Sequence, residues 1–460
     1  MNDILKDIKR VYFVGIGGIG MSALARYFKV MGCCVSGYDR TASALTKKLA
    51  EEGIGVSYKD DEECIEAAFR EKVGTLVVYT PAVPADNRPL SFFRREGFPL
   101  HKRSEVLGIL SRYGKALCVG GTHGKTTTTT LLAFLLKNSS VGCNAFLGGI
   151  SMNFGTNLLI DKDSEYIVVE ADEYDRSFLQ LSPEIAAITA MDEDHLDIYG
   201  NRENLLEAFE QFAGRTREGG KVFLKKGLEL KHTAVSGYYA LNEVADAYSD
   251  RLQVVGAHYV FDYHGDGVEM RDLELGVPGR MNVENATLAI AMALEAGVKP
   301  EEIRQALPLF RGVVRRFNIH ADGEVIYVDD YAHHPREIEA VLTAVREMWP
   351  DRKVTVAFQP HLYSRTQDLH EWFSKSLSIA DEVLLLDIYP ARELPIPGVT
   401  SELVLKNLNV PGHVLGKEEF PNFVKEHVTG GVFLTIGAGD IDRFVPVFTE
   451  MFSSRRSLGL

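Results

Sequence analysis

The chain has 460 residues, of which 45% are hydrophobic and 25% are charged, values that are ordinary for a folded globular protein. A chain of this length is expected to fold as two to four domains. Its formal net charge is -14, so the overall field repels nucleic acid and anionic membrane surfaces. We therefore expect neither nucleic acid nor a membrane as a partner, and an anionic ligand would need local positive charge.

The N-terminal segment MNDILKDIKR carries charges of both signs and lacks the apolar core of a signal peptide. No apolar run approaches the roughly 20 residues of a membrane span. The five cysteines show no C-x-x-C spacing, which indicates reduced core thiols rather than a zinc or redox site. We predict a cytoplasmic protein that is a monomer or a homodimer.

The first predicted strand, VYFV, runs into the glycine turn GIGGIG, and a helix, MSALARYFKV, and a second strand, CCVSGYD, follow. Gly15, Gly17 and Gly20 satisfy G-x-G-x-x-G, and Asp39 lies about 20 residues further on, at the end of the second strand. This arrangement is the dinucleotide-binding fingerprint. Taken alone, it predicts an NAD-dependent dehydrogenase.

A second glycine loop follows the predicted strand ALCVGG, in the stretch CVGGTHGKTTTTT. It departs from the phosphate-loop pattern G-x-x-x-x-G-K-[ST] because Val119 stands at the first glycine position. Gly120 and Gly121 still allow a tight turn before a helix, whose first N–H groups favour phosphate. Lys125 would reach the β- and γ-phosphates of ATP, and the Thr126 hydroxyl would hold Mg²⁺. Two phosphate sites in one chain favour a diphosphate substrate at the first loop and ATP at the second.

Two further side chains follow apolar strands in the central region. Glu170 ends the strand of VVEADEYD, and His195 follows the next strand, in MDEDHLDIYG. Both could approach a metal ion beside the phosphates, and Mg²⁺ needs only two or three protein ligands because it keeps waters and phosphate oxygens. Beyond them we predict a helix in NRENLLEAFEQFAG, a hairpin-like region from KVFLKK to MRDLELGV, and a helix in NVENATLAIAMALEAG.

Past LPLFRGVVRRF, four apolar runs predict a third α/β unit, in EVIYVDDYAHHP, KVTVAFQPHLYSRT, EVLLLDIYP and GVFLTIGAGDI. Strands alternate with helical stretches along the whole chain, which is typical of parallel sheets covered by helices. The sequence therefore predicts an α/β protein with three domains, at residues 1–113, 114–312 and 313–460.

Eight motifs in order carry a family resemblance: GTHGKTTTT, VVEADEYD, DHLDIYG, PGRMNVENA, VRRF, VDDYAHHPREI, FQPHLYSRT and GAGDI. With them the chain resembles the ATP-dependent Mur ligases over nearly its whole length, and most closely the branch that adds the first amino acid. The resemblance implies an N-terminal Rossmann-like domain for a UDP substrate, a central P-loop ATPase domain with a mixed or parallel sheet, and a C-terminal Rossmann-like domain.

The resemblance also implies roles for individual residues. The first loop would approach the UDP pyrophosphate, with Gly15, Gly17, Gly18, Gly20 and Asp39. ATP would be bound by Gly121, Thr122, His123, Gly124, Lys125, Thr126, Thr127, Asn282, Asn285, Arg316 and Asp330. The metal ligands would be Thr126, Glu170 and His195. The amino acid would meet Tyr331, His333 and Arg365, and the catalytic set would be Lys125, Glu170, His195, His333 and Arg365.

Two positions depart from the family pattern: Met281 stands where a histidine is frequent, and Leu362 stands where some relatives carry arginine. Amino-acid recognition is therefore expected to lean more on Arg365. The resemblance implies an enzyme that uses ATP and Mg²⁺ to join L-alanine to the lactyl carboxylate of UDP-N-acetylmuramate through an acyl phosphate. That reaction is the first peptide step of peptidoglycan precursor synthesis, and it releases ADP and phosphate. His333 would be the base for the ammonium proton.

Three alternatives stay open at this point. The nearest is a recycling ligase that joins a whole tripeptide to the same sugar nucleotide. A second is the NAD-dependent dehydrogenase that the first glycine loop suggests, and a third is a nucleotide-gated binding protein without turnover.

Overall fold

In the computed structural model, the described residues are 5, 7–192, 196–256, 258–391 and 393–453. They form three β-sheets flanked by helices, which confirms the predicted α/β class. Two compact units are present, the first spanning residues 1–250, 262–271 and 285–310 and the second spanning 251–261, 272–284 and 311–460. The domain limits near residues 113 and 313 stay predictions. Within the described ranges, no helix has both the length and the apolar character to cross a membrane.

The first sheet has five parallel strands, and its central strand leads into the first glycine loop. Its strands are β1 (Arg10–Val14), β2 (Cys34–Tyr38), β3 (Gly55–Ser57), β4 (Thr75–Tyr79) and β5 (Leu100–Lys102). Its helices are α1 (Ile19–Val30), α2 (Ala44–Glu51), α3 (Arg88–Arg95) and α4 (Arg103–Ser111), with short 3-10 helices at Glu62–Cys64 and Ala67–Arg70. The spatial order is β3-β2-β1-β4-β5, so the chain direction across the sheet reverses beside β1. Ligands of open α/β sheets bind outside the carboxyl ends of strands at such a point.

The second sheet has ten strands, and the phosphate loop follows the strand β6 in its interior. The strands are β6 (Lys115–Gly120), β7 (Asn144–Phe146), β8 (Leu158–Leu159), β9 (Tyr166–Glu170), β10 (Ile185–Ile188), β11 (Lys221–Lys225), β12 (Gly237–Leu241), β13 (Ala247–Val255), β14 (His258–Gly265) and β15 (Val268–Leu275). The helices are α5 (Lys125–Lys137), α6 (Leu196–Tyr199), α7 (Arg202–Ala213), α8 (Arg280–Glu295) and α9 (Pro300–Ala306), with 3-10 helices at Tyr174–Gln180 and Leu307–Leu309. The order is β15-β14-β13-β12-β11-β10-β6-β9-β7-β8. Strand β6 pairs in parallel with both β9 and β10, and Val119 lies opposite Glu170.

The prediction of hairpins between KVFLKK and MRDLELGV is wrong for the first part of that region, from β11 to β13. Strands β11, β12 and β13 pair in parallel, each with the strand before it, and β10 pairs in parallel with β11. Short polar connections and half-exposed strands usually indicate antiparallel neighbours. Here the chain crosses back between successive strands, so that each strand starts at the same end of the sheet. No local residue pattern distinguishes that path from a hairpin.

The third sheet has six strands in the order β16-β17-β21-β18-β19-β20. They are β16 (Asn318–Asp322), β17 (Val325–Asp330), β18 (Val354–Phe358), β19 (Glu382–Leu386), β20 (Gly412–Leu415) and β21 (Gly431–Ile436). The helices are α10 (Pro335–Met348), α11 (Tyr363–Leu377), α12 (Glu402–Leu405), α13 (Phe420–His427) and α14 (Val445–Ser453), with a 3-10 helix at Asp440–Phe444. Strand β16 is antiparallel to β17, and the other pairs are parallel. The carboxyl ends of β17, β21 and β18 therefore meet at one edge of the sheet.

The cysteines follow the predicted pattern only in part. All five are free thiols, but only Cys118 and Cys143 are buried, and Cys34 is exposed. Cys34 is the first residue of β2, at the end of the strand that faces solvent. Apolar neighbours in sequence therefore did not place this side chain in the core.

A buried polar contact joins helix α1 to the loop before β8. Asn157 is fully buried, and its amide Nδ2 donates to the Ile19 carbonyl at 2.6 Å and to the Ser22 hydroxyl at 3.0 Å. Its Oδ1 accepts from the guanidinium of Arg26, which is itself 6% exposed and also bonds Glu52. Because Asn157, Ser22 and Arg26 are shielded from water, these side chains cannot replace a lost bond with a bond to solvent. The start of helix α1, directly after the first glycine loop, is therefore fixed to the second sheet.

Replacing Asn157 with alanine tests this contact. The change removes three side-chain hydrogen bonds and deprives a buried guanidinium of one acceptor, so we expect the free energy of unfolding to fall by about 2 to 3 kcal/mol. Urea denaturation followed by circular dichroism measures it. The control is Asn407→Ala, at an exposed asparagine just beyond α12 whose amide donates to the Leu403 carbonyl, where the expected change is within about 0.5 kcal/mol. An equal, small change in both variants would contradict the assignment.

Candidate active site

The second glycine loop forms a tight turn without the first glycine of the longer motif. Val119 is fully buried within β6, and the turn is made by Gly121, with φ +130°, and Gly124, with φ +79°. A Cβ atom on Gly121 would overlap the Thr189 side chain, and one on Gly124 would lie 2.7 Å from Asn285 Oδ1. Helix α5 begins directly afterwards, at Lys125. The shorter loop therefore still presents a helix N-terminus at the end of a buried strand, which suits an anion.

Lys125 is held at this loop by a carboxylate that the motif did not predict. Its Nζ lies 2.9 and 2.8 Å from the two carboxylate oxygens of Glu173 and donates to the Gly121 carbonyl. Glu173 is 1% exposed. Burial is the largest single influence and lowers the pKa of Lys125, but nearby carboxylates, led by Glu173, together raise it above its ordinary value. The ammonium group therefore remains charged inside the pocket.

Thr126 and Glu170 meet beside the start of helix α5. The Thr126 hydroxyl donates to Glu170 Oε1 at 3.0 Å, which follows from the register that sets Val119 opposite Glu170. A Cβ atom on Gly148 would overlap the Glu170 carboxylate, so a glycine is needed here if the carboxylate is to keep its position. A hydroxyl and a carboxylate are the hard oxygen donors that Mg²⁺ prefers, and the pair fits that ion. The third predicted ligand, His195, lies outside the described residues.

The remaining predicted ATP residues of the first unit surround the same loop. Thr122 bonds the backbone of Ala190 and Asp192, and His123 lies 3.5 Å from the Asp192 carboxylate. Thr127 is buried in the first turn of α5. The threonine run is accommodated because the hydroxyls of later threonines donate to carbonyls four residues back, as Thr129 does to Lys125.

The two predicted asparagines stand one turn apart on helix α8. Asn285 lies beside Gly124, at the phosphate loop of the first unit. Asn282 donates its amide to the Pro278 carbonyl, at the start of its own helix. The sequence spacing thus places both on α8, and the structure brings Asn285 to the loop.

The first glycine loop closes on Asp39. Gly15 has φ +90° and donates its N–H to the Tyr38 carbonyl at 2.7 Å, and Gly18 precedes helix α1 as its N-cap. Asp39 Oδ2 accepts the N–H of Gly17 at 2.7 Å, and its other oxygen accepts the N–H of Thr41. The carboxylate therefore holds the loop itself, whereas the dinucleotide fingerprint would direct it to a ribose.

A second group of predicted residues gathers at the end of β17 in the second unit. Asp330 is 4% exposed and accepts the N–H groups of Phe317 and Ala332 at 2.7 and 2.6 Å. Burial raises the pKa of Asp330 to about 6, although Arg316 and these two N–H groups oppose the shift. The guanidinium of Arg316 lies 5.1 Å from the centre of the Tyr331 ring. The end of this strand therefore combines a buried acid with a cation that stacks on an aromatic ring.

His333 and Tyr331 share this strand end with a further histidine. His333 Nδ1 lies 3.1 Å from the Tyr331 carbonyl and 3.4 Å from Glu337 Oε2, which favours a proton on Nδ1 and a lone pair on Nε2. The His333 ring is 6.1 Å from that of His361, which stacks on Tyr389. A base oriented by a carbonyl and a carboxylate is suited to accepting a proton.

Arg365 lies on the first turn of helix α11, next to an unusual backbone. Leu362 precedes this helix as its N-cap with φ +71°, a left-handed conformation that costs a non-glycine residue about 1 to 2 kcal/mol. Its N–H donates to the Tyr389 carbonyl, and its carbonyl accepts the Thr366 hydroxyl. Such strained residues persist where surrounding bonds hold them, often at ligand sites.

Sequence reasoning missed three residues that the structure places at the site. Glu173 pairs with Lys125, and Arg103 donates to Asp172 Oδ2 at 3.1 Å beside Glu170. Glu173 and Asp172 stand in the motif VVEADEYD, but nothing in the local pattern distinguishes their partners. The stretch HKRSEV, which contains Arg103, was interpreted only as part of a domain boundary. The signal that could have found it is a cation at the first position of a helix, where the dipole favours an acid.

Known proteins match the chain over nearly its whole length. Residues 10–115 match the catalytic domain of the Mur ligase family, residues 119–293 the Mur ligase middle domain, and residues 315–439 the Mur ligase glutamate ligase domain. The UDP-N-acetylmuramate--L-alanine ligase of Phocaeicola vulgatus is 49% identical over 458 residues, which cover 98% of this chain and 100% of that protein. The ligase of the same name from Porphyromonas gingivalis is 48% identical over 445 residues, 95% of this chain and 98% of that protein.

Solved structures show the same architecture. The UDP-N-acetylmuramate-alanine ligase MurC from Thermotoga maritima superposes with a TM-score of 0.81 at 30% identity, covering 97% of this chain and 99% of that chain. A murein peptide ligase from Psychrobacter arcticus shares the fold with a TM-score of 0.69 at 20% identity, covering 98% and 100%. Because all three family domains occur in order and relatives near half identical span the full chain, this protein belongs to the Mur ligase family.

Proposed function

We propose that this chain joins L-alanine to the lactyl carboxylate of UDP-N-acetylmuramate and consumes ATP in doing so. Relatives that are 44% to 49% identical over nearly the whole chain are named for that reaction. The observation that carries the proposal is structural. The first glycine loop and the phosphate loop with Lys125 lie in one compact unit, each at the carboxyl end of a parallel strand. This arrangement suits a reaction between two phosphate-bearing substrates.

The chemistry needs activation because a carboxylate does not react with an amine at neutral pH. A carboxylate oxygen attacks the γ-phosphorus of ATP, ADP leaves, and the acid becomes an acyl phosphate. The amine of L-alanine then attacks the acyl carbon, phosphate leaves, and an amide bond remains. No protein nucleophile takes part, so the chain contributes position and charge.

In this proposal the first unit holds the phosphates. Lys125 and the N–H groups at the start of α5 lie where the β- and γ-phosphates would bind, and Glu173 keeps the ammonium oriented. Thr126 and Glu170, with His195, would hold Mg²⁺, which neutralises phosphate charge when it is bound. The glycines of the first loop would let a pyrophosphate approach the backbone. Family membership and the loop-closing role of Asp39 argue against the dehydrogenase alternative.

The second unit would complete the site. We propose that Arg316 reaches the ATP phosphates and that Asp330 approaches the ribose. Tyr331, His333 and Arg365 would meet the amino acid, and His333 would take the proton from its ammonium group through Nε2. The tetrahedral oxyanion that follows amine attack needs nearby positive charge, and we propose that Lys125 and Arg316 supply it.

The function is tested by the substrates that trigger phosphate release. With ATP and Mg²⁺ supplied, we expect release only when UDP-N-acetylmuramate and L-alanine are both present, because the acyl phosphate is consumed by the amine. A parallel assay replaces L-alanine with the tripeptide of the recycling reaction. Release with the tripeptide and none with L-alanine would establish the alternative ligase. Product mass confirms the new amide.

Lys125→Ala tests the phosphate loop. Removal of the charge at the transferred phosphate should lower kcat/KM for ATP by about 10³-fold, the scale of other charge-neutralising groups in phosphoryl transfer. The double variant Lys125→Ala with Glu173→Ala also removes the buried acid that pairs with Lys125, and we expect the same loss from it. The control is Lys137→Ala, at the other end of helix α5, where the lysine pairs with Asp161. Near-normal ligation by the double variant would refute the assigned role.

A further inference from the structure

We infer that Arg103 binds the carboxylate of the sugar nucleotide, the group that becomes phosphorylated. This inference rests on the proposed function and deepens it, because it names the residue that recognises the acid. Arg103 is the first residue of helix α4, directly after strand β5. Its guanidinium reaches the second sheet and donates to Asp172, two residues beyond the end of β9. An arginine of the first sheet therefore lies beside the phosphate site of the second.

The guanidinium lines a cavity between the end of the first glycine loop and the strand end that carries Glu170. The cavity has a volume of about 130 Å³, and its wall includes Gly20, Arg103, Gly148, Glu170 and Asp172. That space suits a short acid such as a lactyl group but not a whole sugar nucleotide. It lies between the helix that follows the first loop and the predicted metal ligand Glu170.

Two glycines keep this cavity open around the charged groups. A Cβ atom on Gly20, in the first turn of α1, would overlap Nη1 of Arg103. A Cβ atom on Gly148 would overlap the Glu170 carboxylate on the opposite side. The absence of side chains at both positions therefore lets an arginine and an acid face the same space.

The hydrogen-bonding capacity of Arg103 is largely unused. A guanidinium carries five N–H donors, and within the described ranges the bond to Asp172 is the one hydrogen bond that the Arg103 side chain makes. Its side chain is 20% exposed. Lys102, its neighbour, already pairs with Asp175. The fork geometry of arginine suits a second carboxylate, which could be bound by the donors that face the cavity.

The charges in the cavity require such a cation. Glu170 and Asp172 both line it, so an entering carboxylate meets two like charges. Arg103 is the one basic residue among the described residues of the wall, and it offsets that repulsion. A carboxylate bound there would lie beside Thr126 and Glu170, where the transferred phosphate is expected. Arg103 thus positions the attacking oxygen.

The experiment compares two sugar nucleotides that differ in the acid. UDP-N-acetylglucosamine has the same nucleotide and hexosamine as UDP-N-acetylmuramate but lacks the lactyl carboxylate. Isothermal titration calorimetry gives both dissociation constants for the wild type, Arg103→Gln and Arg103→Lys. We expect Arg103→Gln to raise the dissociation constant of UDP-N-acetylmuramate about 10- to 100-fold, the scale of charge-assisted hydrogen bonds. The dissociation constant of UDP-N-acetylglucosamine should rise less than about 3-fold. The dissociation constant of Arg103→Lys for UDP-N-acetylmuramate should lie between those of the wild type and Arg103→Gln.

The matched control is Arg95→Gln, at an arginine of the first sheet's helices that pairs with Glu62 and Glu96 at the surface. It should change neither constant. If Arg103→Gln weakens the binding of both ligands equally, Arg103 has a structural role and the inference is overturned. Unchanged binding of both ligands would overturn it as well. If Arg103→Gln does not fold, Arg103→Lys decides by the same comparison. A wild type that forms no amide would defeat the proposed function, whereas amide formation without selective loss in the variants defeats only the role of Arg103.

Discussion

A buried hydrogen-bond network around Asn157 fixes helix α1 to the second sheet, and the geometry of the proposed reaction depends on it. Helix α1 starts where the first glycine loop ends, and the second sheet carries the phosphate loop. Arg26 and Asn157 are both shielded from water, so the bond between them cannot be replaced by a bond to solvent. Separation of the two loops would therefore remove one of the acceptors of a buried guanidinium, which would keep only its bonds to Glu52. A phosphoryl transfer that relies on position rather than on a nucleophile needs this kind of rigidity.

Local charge explains how a chain with a net charge of -14 can bind anions. Lys125 sits among three carboxylates, which keep it protonated in a buried pocket and hold it at the loop. Arg103 is paired with Asp172 in the same way. In both places an acid of the chain pairs with the cation. A substrate must compete with that acid, which favours ligands that carry several charges over single small anions.

Much of the fold and part of the site could be predicted because they depend on short patterns. Strand–glycine–helix transitions identified both loops, and the position of Glu170 at a strand end was sufficient to place it beside Thr126 once β6 and β9 paired. Other features depend on contacts distant in sequence, and no local pattern contains them. Glu173 is 48 residues from its partner Lys125, and Arg103 is 69 residues from Asp172. The parallel path of β11 to β13 and the loop-closing role of Asp39 were missed for the same reason, because residue types alone do not fix chain direction or a carboxylate's partner.

Substitution of either glycine of the cavity wall, Gly20 or Gly148, is expected to affect activity more than folding. The atoms that a new Cβ would meet at Gly20 and Gly148 are the ends of the long Arg103 and Glu170 side chains, which can swing aside at little cost to the packed core. Substitution there would leave a soundly folded protein whose key arginine and acid point elsewhere. Under selection by an inhibitor bound in this space, resistance could not arise by added bulk at either glycine without also displacing the groups that the substrate requires.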